Sequence, residues 1–156
     1  MSKREAGLME GRQKKISILI ADDDEDDCML AHEALIESHL QHELHVVKDG
    51  EELMDYLYCR GRYANPENTS PPGLILLDLN MPKKDGREAL REIKTNPTFK
   101  HIPVIILTTS KAEEDIQLSY SLGANSFIIK PVTFASLVEV MKTIGKYWFD
   151  IVELPY

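Results

Sequence analysis

Five short apolar runs alternate along this chain with longer stretches of helical period. The runs cover Ile16 to Ala21, Glu43 to Val47, Leu74 to Leu77, Val104 to Leu107 and Ser126 to Ile129. The helical stretches that follow cover about Asp26 to Ser38, Asp49 to Cys59, Gly86 to Thr95, Glu113 to Leu122 and Thr133 to Phe149. Strands that alternate with helices are typical of a parallel sheet covered on both faces. The pattern therefore predicts five βα units.

Two segments do not fit this alternation. The stretch from Arg60 to Gly73 is rich in Pro, Asn, Ser and Gly, which predicts a long loop before the third strand. We interpret it either as a surface insertion or as a contact for a partner. The end of the chain, from Tyr147 to Tyr156, is unusually apolar and aromatic for a terminus.

Composition favours one globular domain. The chain has 156 residues, of which 43% are apolar, enough for a real core. We divide it into a basic tail at 1–14, a folded domain at 15–149 and an apolar tail at 150–156. The net charge of −8 argues against a nucleic-acid binder. No apolar run is long enough to span a bilayer, so we expect a cytoplasmic protein with no membrane contact.

Carboxylates follow two of the predicted strands. Asp22 and Asp23 come directly after the first, and Asp78 follows the third. If these strands are neighbours, the three carboxylates meet at the carboxyl edge of the sheet, where open α/β sheets bind ligands. Clustered carboxylates repel each other and gain most from a hard divalent cation such as Mg²⁺. This chemistry indicates phosphoryl transfer to an Asp.

Three further signatures complete the pattern. Asp78 continues into Asn80-Met81-Pro82, Thr108 follows the fourth strand, and Lys130-Pro131 follows the fifth. With the acidic pair, and in this order, they make the chain resemble the receiver domain of two-component response regulators over roughly 15–146. The resemblance implies a flavodoxin-like fold: a five-stranded parallel sheet in the order 2-1-3-4-5 with five helices.

The resemblance also implies a role for each site residue. Asp78 is the expected nucleophile and phosphoacceptor. Mg²⁺ is expected on the side chains of Asp23 and Asp78 and the backbone carbonyl of Asn80, with Asp22 reaching it through water. Lys130 is expected to contact one phosphoryl oxygen.

A predicted switch accompanies this site. Thr108 is expected to donate its hydroxyl to a phosphoryl oxygen, and its inward movement is expected to let the ring of Phe127 turn from exposed to buried. Permanent packing of Phe127 is the alternative interpretation. Thr109 stands where the family usually has a smaller residue, which predicts restricted access to the site. In the family, the peptide bond that corresponds to Lys130–Pro131 is cis.

The function implied is that of a stand-alone response regulator. It is expected to accept a phosphoryl group from a sensor histidine kinase, to catalyse its own phosphorylation and dephosphorylation, and to signal to a downstream protein. The block from Asp78 to Leu90, the Arg60 to Gly73 loop and the Tyr147-Trp148 pair resemble regulators that serve bacterial phytochromes.

Three alternatives remain open at this point. A Mg²⁺-dependent phosphohydrolase would use Asp78 as nucleophile, but it needs a second Asp where Asn80 stands. A Ca²⁺-binding loop would begin at Asp22, but it needs Gly where Asp27 stands. A degenerate receiver used only for protein binding is the third.

The last helix and the tail predict an interface. Their apolar residues exceed what one core-facing stripe can use, with Val138, Val140, Tyr147 and Phe149 off the main stripe. We expect a homodimer built on this region, with Tyr147, Trp148 or Phe149 contributing. The alternative is that the tail folds back on its own domain.

Overall fold

The computed structural model describes residues 16–37 and 42–155, without the side chain of His42. The predicted basic tail at 1–14 and the predicted end of the first helix at Ser38 lie outside these residues. Five strands form one parallel sheet in the order β2-β1-β3-β4-β5. The strands are β1 (Ile16–Ala21), β2 (His42–Val47), β3 (Leu74–Leu77), β4 (Val104–Thr108) and β5 (Ser126–Ile129). The predicted fold and strand order are confirmed.

Five α-helices cover the sheet. They are α1 (Glu25–Glu37), α2 (Gly50–Tyr58), α3 (Gly86–Thr95), α4 (Glu113–Leu122) and α5 (Phe134–Gly145). None of the helices in the described part of the chain is both long and apolar enough to cross a membrane.

The apolar runs became strands because both of their faces are covered. Alternate side chains of β1 enter different cores: Leu19 and Ala21 pack on the side of α2 and α3, whereas Ile18 and Ile20 pack on the side of α1 and α5. All five residues of β4 are buried, as are all four of β3. Continuous apolar runs are what a doubly covered parallel strand requires.

Local signals set several helix ends. Asp49, Asp85 and Thr133 cap α2, α3 and α5, because each side chain accepts a hydrogen bond from a backbone N–H two or three residues on. Gly123 ends α4 with φ 107°, a conformation that glycine adopts without strain. All four positions lie at or next to the bounds that the sequence predicts for these helices.

The loop from Arg60 to Gly73 is more structured than its composition indicated. It contains two 3-10 turns, Gly61–Tyr63 and Pro66–Asn68. The Tyr56 hydroxyl on α2 donates to the carbonyl of Ser70 and accepts the backbone N–H of the same residue. The loop is therefore attached to the domain.

The last helix changes character at its end. A π-helical segment, Lys146–Ile151, continues α5 beyond the predicted end at Phe149 and across the proposed boundary at 149/150. Trp148 and Phe149 pack against the core shared by α1 and α5. Tyr147 and Ile151 remain more than half exposed.

This packing corrects part of the interface prediction. Val138 is buried, and Val140 is partly buried against the same core, so neither adds to an open patch. The reason is that α5 packs against α1 as well as against the sheet, so a second stripe of the helix is covered. The spacing of apolar residues shows which faces of a helix are apolar, but not which neighbouring element covers each face.

Candidate functional site

Three carboxylates meet at the carboxyl edge of the sheet, as predicted. Oxygens of Asp22, Asp23 and Asp78 lie within 4.8 Å of one another. Parallel pairing brings them together, because the Asp78 N–H donates to the Ala21 carbonyl at the end of β1. Asp22 and Asp78 are buried, and Asp23 is exposed. Two carboxylates of the cluster are therefore buried, and the third is open to solvent.

Donors surround both oxygens of Asp78. The hydroxyl of Thr108, which is fully buried, donates to Asp78 Oδ1 at 2.7 Å. The backbone N–H of Asn80 donates to the same oxygen at 3.1 Å. Lys130 Nζ donates to Oδ2 at 3.0 Å. The Asp78 carboxyl group is thus held in place from both sides.

Lys130 joins the carboxylates to each other. Its Nζ lies 2.7 Å from Asp22 Oδ2, 2.7 Å from Asp27 Oδ2 and 3.0 Å from Asp78 Oδ2. Its backbone N–H donates to the Thr108 carbonyl, which sets the height of the side chain above the sheet. One buried ammonium thus contacts three carboxylates and offsets part of their charge.

Asp27 is the site residue that the sequence interpretation missed. Its place near the start of the first predicted helix gives it an ordinary explanation, because the helix dipole favours acidic residues there. It does lie in the first turn of α1, but its side chain reaches Lys130. One signal could have found it: Asp27 lies four residues before Ala31, on the stripe of α1 that faces the core.

Burial and neighbouring groups shift the pKa values of Asp22 and Lys130. Burial raises the pKa of Asp22 to about 6, against the opposing effects of Lys130 and the Asp24 N–H. Burial by itself would lower the pKa of Lys130, but its hydrogen bonds to Asp22 and Asp27 outweigh that effect and the pKa is raised. Lys130 therefore stays protonated at neutral pH.

The donor set fits a hard divalent cation. Three carboxylates within reach of one another supply oxygen ligands, and the exposed Asp23 leaves the cluster open to solvent on one side. Asn80, two residues after Asp78 in the chain, is exposed, and its backbone carbonyl remains a predicted metal ligand. The structure excludes a Ca²⁺ loop of the EF-hand type. Glu33, which would be the twelfth residue of such a loop, lies inside α1, and Asp24 caps that helix by accepting the N–H groups of Asp26 and Asp27.

The predicted switch residue, Phe127, contacts both the core and α4. Phe127 is partly buried and packs against the core on the side of α2 and α3. Its backbone N–H donates to the hydroxyl of Tyr120 on α4 at 3.1 Å, a contact that the sequence did not indicate. Thr109, directly after the buried Thr108, is exposed at the start of the loop between β4 and α4.

One implied feature is wrong for this structure. The described residues contain no cis peptide bond, so the Lys130–Pro131 bond is trans. A prolyl bond prefers trans by only about 0.5–1 kcal/mol, so its state depends on the surrounding contacts rather than on the local sequence.

The match to known proteins agrees with this geometry. The family model for the response regulator receiver domain matches residues 18–142. The chain belongs to this family, and it is a phosphoacceptor signalling domain of two-component systems whose Asp22, Asp23 and Asp78 could hold a metal ion.

Individual relatives narrow the comparison. The chain is 44% identical to the response regulator Rcp1 of Synechocystis over 138 residues, which cover 88% of this chain and 92% of Rcp1. It resembles the phosphorylated cyanobacterial phytochrome response regulator RcpA, with a TM-score of 0.86 and 45% identity over 92% of this chain and all of that one. It also resembles the Mn²⁺-bound form of Rcp1, with a TM-score of 0.84 and 43% identity over 90% and 99% of the two chains.

Proposed function

We propose that Asp78 receives a phosphoryl group from a phosphohistidine of a sensor kinase. The observation that supports this most strongly is the convergence of two donors on Asp78: the Thr108 hydroxyl at 2.7 Å from Oδ1 and Lys130 Nζ at 3.0 Å from Oδ2. Donors that hold the Asp78 carboxylate before transfer are also close enough to interact with the negatively charged phosphoryl oxygens after it.

The transfer forms one bond and breaks another. A carboxylate oxygen of Asp78 attacks phosphorus, and an acyl phosphate forms as the bond from phosphorus to the imidazole nitrogen breaks. The electron pair of the broken bond leaves with the imidazole. Lys130 and Thr108 stabilise charge on the phosphoryl oxygens, and the attack needs no general base because a carboxylate oxygen is itself the nucleophile.

We propose Mg²⁺ as the working metal, held by the side chains of Asp23 and Asp78 and the carbonyl of Asn80, with Asp22 reaching it through water. The support is the all-oxygen donor set within 4.8 Å. When bound, Mg²⁺ supplies positive charge that offsets repulsion between the carboxylates and the phosphoryl group. We further propose that the same residues let the chain catalyse its own phosphorylation from small donors and its own dephosphorylation.

The proposed output is a rearrangement around Thr108. The Thr108 hydroxyl exchanges Asp78 for a phosphoryl oxygen, and the space it leaves favours the inward position of Phe127. Phe127 is half-buried and therefore has room to change its exposure. The surface of α4 and β5 would report the change to a downstream protein.

The partners proposed are a phytochrome-type histidine kinase and a second copy of this chain. The likeness to RcpA and Rcp1 supports the first. The exposed Tyr147 and Ile151 on the π-helical segment support the second, whereas Trp148 and Phe149 are used inside the domain. Light scattering over a dilution series, with Tyr147→Ser beside the wild type, tests the dimer: a monomer at every concentration contradicts it.

Phosphorylation by acetyl phosphate tests the central proposal. We expect a base-labile label that requires Mg²⁺ and is lost in Asp78→Asn, since an amide cannot form an acyl phosphate. Asp55→Asn is a suitable control, because Asp55 is paired with Arg60 on the surface at the end of α2. An undiminished label on Asp78→Asn contradicts the assignment.

The same assay separates the phosphohydrolase alternative. A receiver accumulates the label and loses it slowly, whereas a phosphohydrolase turns over a stable phosphate ester many times. The exposed Asn80 cannot act as the general acid that such turnover needs. Multiple turnovers on a phosphate monoester would favour the alternative.

A further inference from the structure

Arg87 links the two loops that border the site. It is the second residue of α3, directly after Gly86, and the start of this helix lies against the strand end that carries Asp78. The Gly86 N–H donates to the Leu79 carbonyl at 3.0 Å, and a Cβ on Gly86 would lie 2.2 Å from the Asp78 carbonyl oxygen. The base of Arg87 is therefore held rigidly beside Asp78.

The guanidinium of Arg87 reaches across to α4. Its Nε lies 2.7 Å from Asp115 Oδ1 and its Nη2 lies 2.6 Å from Asp115 Oδ2, which is a two-point contact between planar groups. Nη1 also contacts Asp85 Oδ2 at 2.9 Å. The Asp115 side chain is only 15% exposed. Its hydrogen bonds with Arg87 and Ser110 lower the pKa of Asp115 to about 2.

Asp115 in turn holds the loop between β4 and α4. The Ser110 hydroxyl donates to Asp115 Oδ2 at 2.6 Å and accepts the Ala112 N–H at 3.3 Å. Ala112 occupies the N-cap position of α4 and offers no capping side chain. The contacts of Asp115 therefore replace a cap as the polar anchor of this helix start.

This loop begins at Thr109, next to the residue that contacts Asp78. Thr108 Oγ1 donates a hydrogen bond to Asp78 Oδ1, and the next residue, Thr109, is exposed. A displacement of the loop would move both residues relative to the carboxylate. The contact between Arg87 and Asp115 thus joins the loop after β3 to the loop after β4.

We propose that Arg87 is a positioning residue whose contact with Asp115 and Ser110 holds the β4–α4 loop over Asp78 and slows loss of the phosphoryl group to water. This inference rests on the proposed phosphorylation of Asp78. A loop held closed limits the approach of water, and misplacement of about 1 Å at a reacting centre can change a rate by orders of magnitude.

The decay of the acyl phosphate tests the proposal. The wild type, Arg87→Met, Asp115→Asn and the double variant are labelled with acetyl phosphate and Mg²⁺, and the label is followed after the donor is removed. We expect both single variants to lose it about tenfold faster, a change that corresponds to roughly 1.4 kcal/mol. The double variant should match the single ones, because the two groups act as one contact.

Two variants separate positioning from general damage. Arg60→Met removes a similar contact of 2.7 Å, with Asp55, away from the site, and it should decay as the wild type does. Ser110→Ala leaves Arg87 and Asp115 in place but frees the loop, so it tests the proposal if Arg87→Met does not fold. It should also decay faster. Magnesium affinity and circular dichroism should stay at wild-type values in every folded variant.

The outcomes distinguish a failure of this inference from a failure of the proposed phosphorylation of Asp78. A label retained by Asp78→Asn overturns both. The other outcome is that Asp78→Asn loses the label, while the decay rates of Arg87→Met and Ser110→Ala stay within about twofold of the wild-type rate or are slower. That result overturns only the positioning role.

Discussion

Removing the ammonium of Lys130 tests how the carboxylate cluster is held together. Lys130→Met keeps the length of the side chain but leaves Asp22, Asp27 and Asp78 without their shared cation. The Lys130 side chain is 10% exposed, and those of Asp22 and Asp78 are 7% and 8% exposed. The perturbation therefore falls on buried charges.

The expected loss of stability follows from this burial. Removing one partner of a buried ion pair costs about 3–5 kcal/mol, because the remaining charge is left unpaired in a medium of low polarity. Asp27 is 33% exposed and contributes less. Burial already raises the pKa of Asp22 to about 6, and loss of Lys130 raises it further, so Asp22 can take up a proton and relieve part of the repulsion. We therefore expect a loss near the lower limit, about 3 kcal/mol at pH 7 without metal.

Urea unfolding monitored by circular dichroism in EDTA measures this loss. Repeating it in excess MgCl₂ should stabilise Lys130→Met more than the wild type, since the metal supplies the charge that the variant lacks. Lys48→Met is the matched control: Lys48 lies 3.2 Å from Glu25, with side chains 43% and 84% exposed. An exposed pair of this kind contributes at most about 1 kcal/mol.

Two results would refute the reasoning. A loss in EDTA no larger than that of Lys48→Met would show that Lys130 does not neutralise the cluster. Equal stabilisation of the variant and the wild type by Mg²⁺ would show that the ammonium and the metal do not share the same carboxylates.

Three further predictions concern the surroundings of the site. Thr108→Val should lower the free energy of unfolding by about 1.5–3 kcal/mol, because valine cannot donate to Asp78; urea titration measures it, and an unchanged midpoint contradicts it. Gly86→Ala should destabilise by at least about 1–3 kcal/mol, since the new Cβ would lie 2.2 Å from the Asp78 carbonyl oxygen, and a thermal melt at wild-type temperature would exclude this. The folded pKa of Asp115, about 2, lies below its ordinary value of 3.8, so the stability it contributes is complete above about pH 4 and is lost as the pH falls towards 2. Asp115→Asn should flatten the acid limb of the stability curve in that window, and a limb as steep as that of the wild type would refute the role of Asp115.

The fold and much of the site follow from local features of the sequence. Runs such as Leu74 to Leu77 are apolar at every position, which suits only a strand covered on both faces. Strands of one parallel sheet end at the same edge, so residues directly after them, such as Asp22 and Asp78, must meet there. The site was predictable because strand ends are marked in sequence and parallel pairing does the rest.

The tertiary structure alone decided which partner each remaining side chain finds. Asp27 contacts Lys130 across 103 positions of the chain, and Tyr120 accepts the N–H of Phe127 across the gap between α4 and β5. Trp148 looked available for an interface, but it packs on the core of its own domain. Periodicity shows which face of a helix is apolar or charged, whereas the neighbour that covers the face depends on how helices pack around the sheet. That packing is a non-local property, and a local pattern of residues does not contain it.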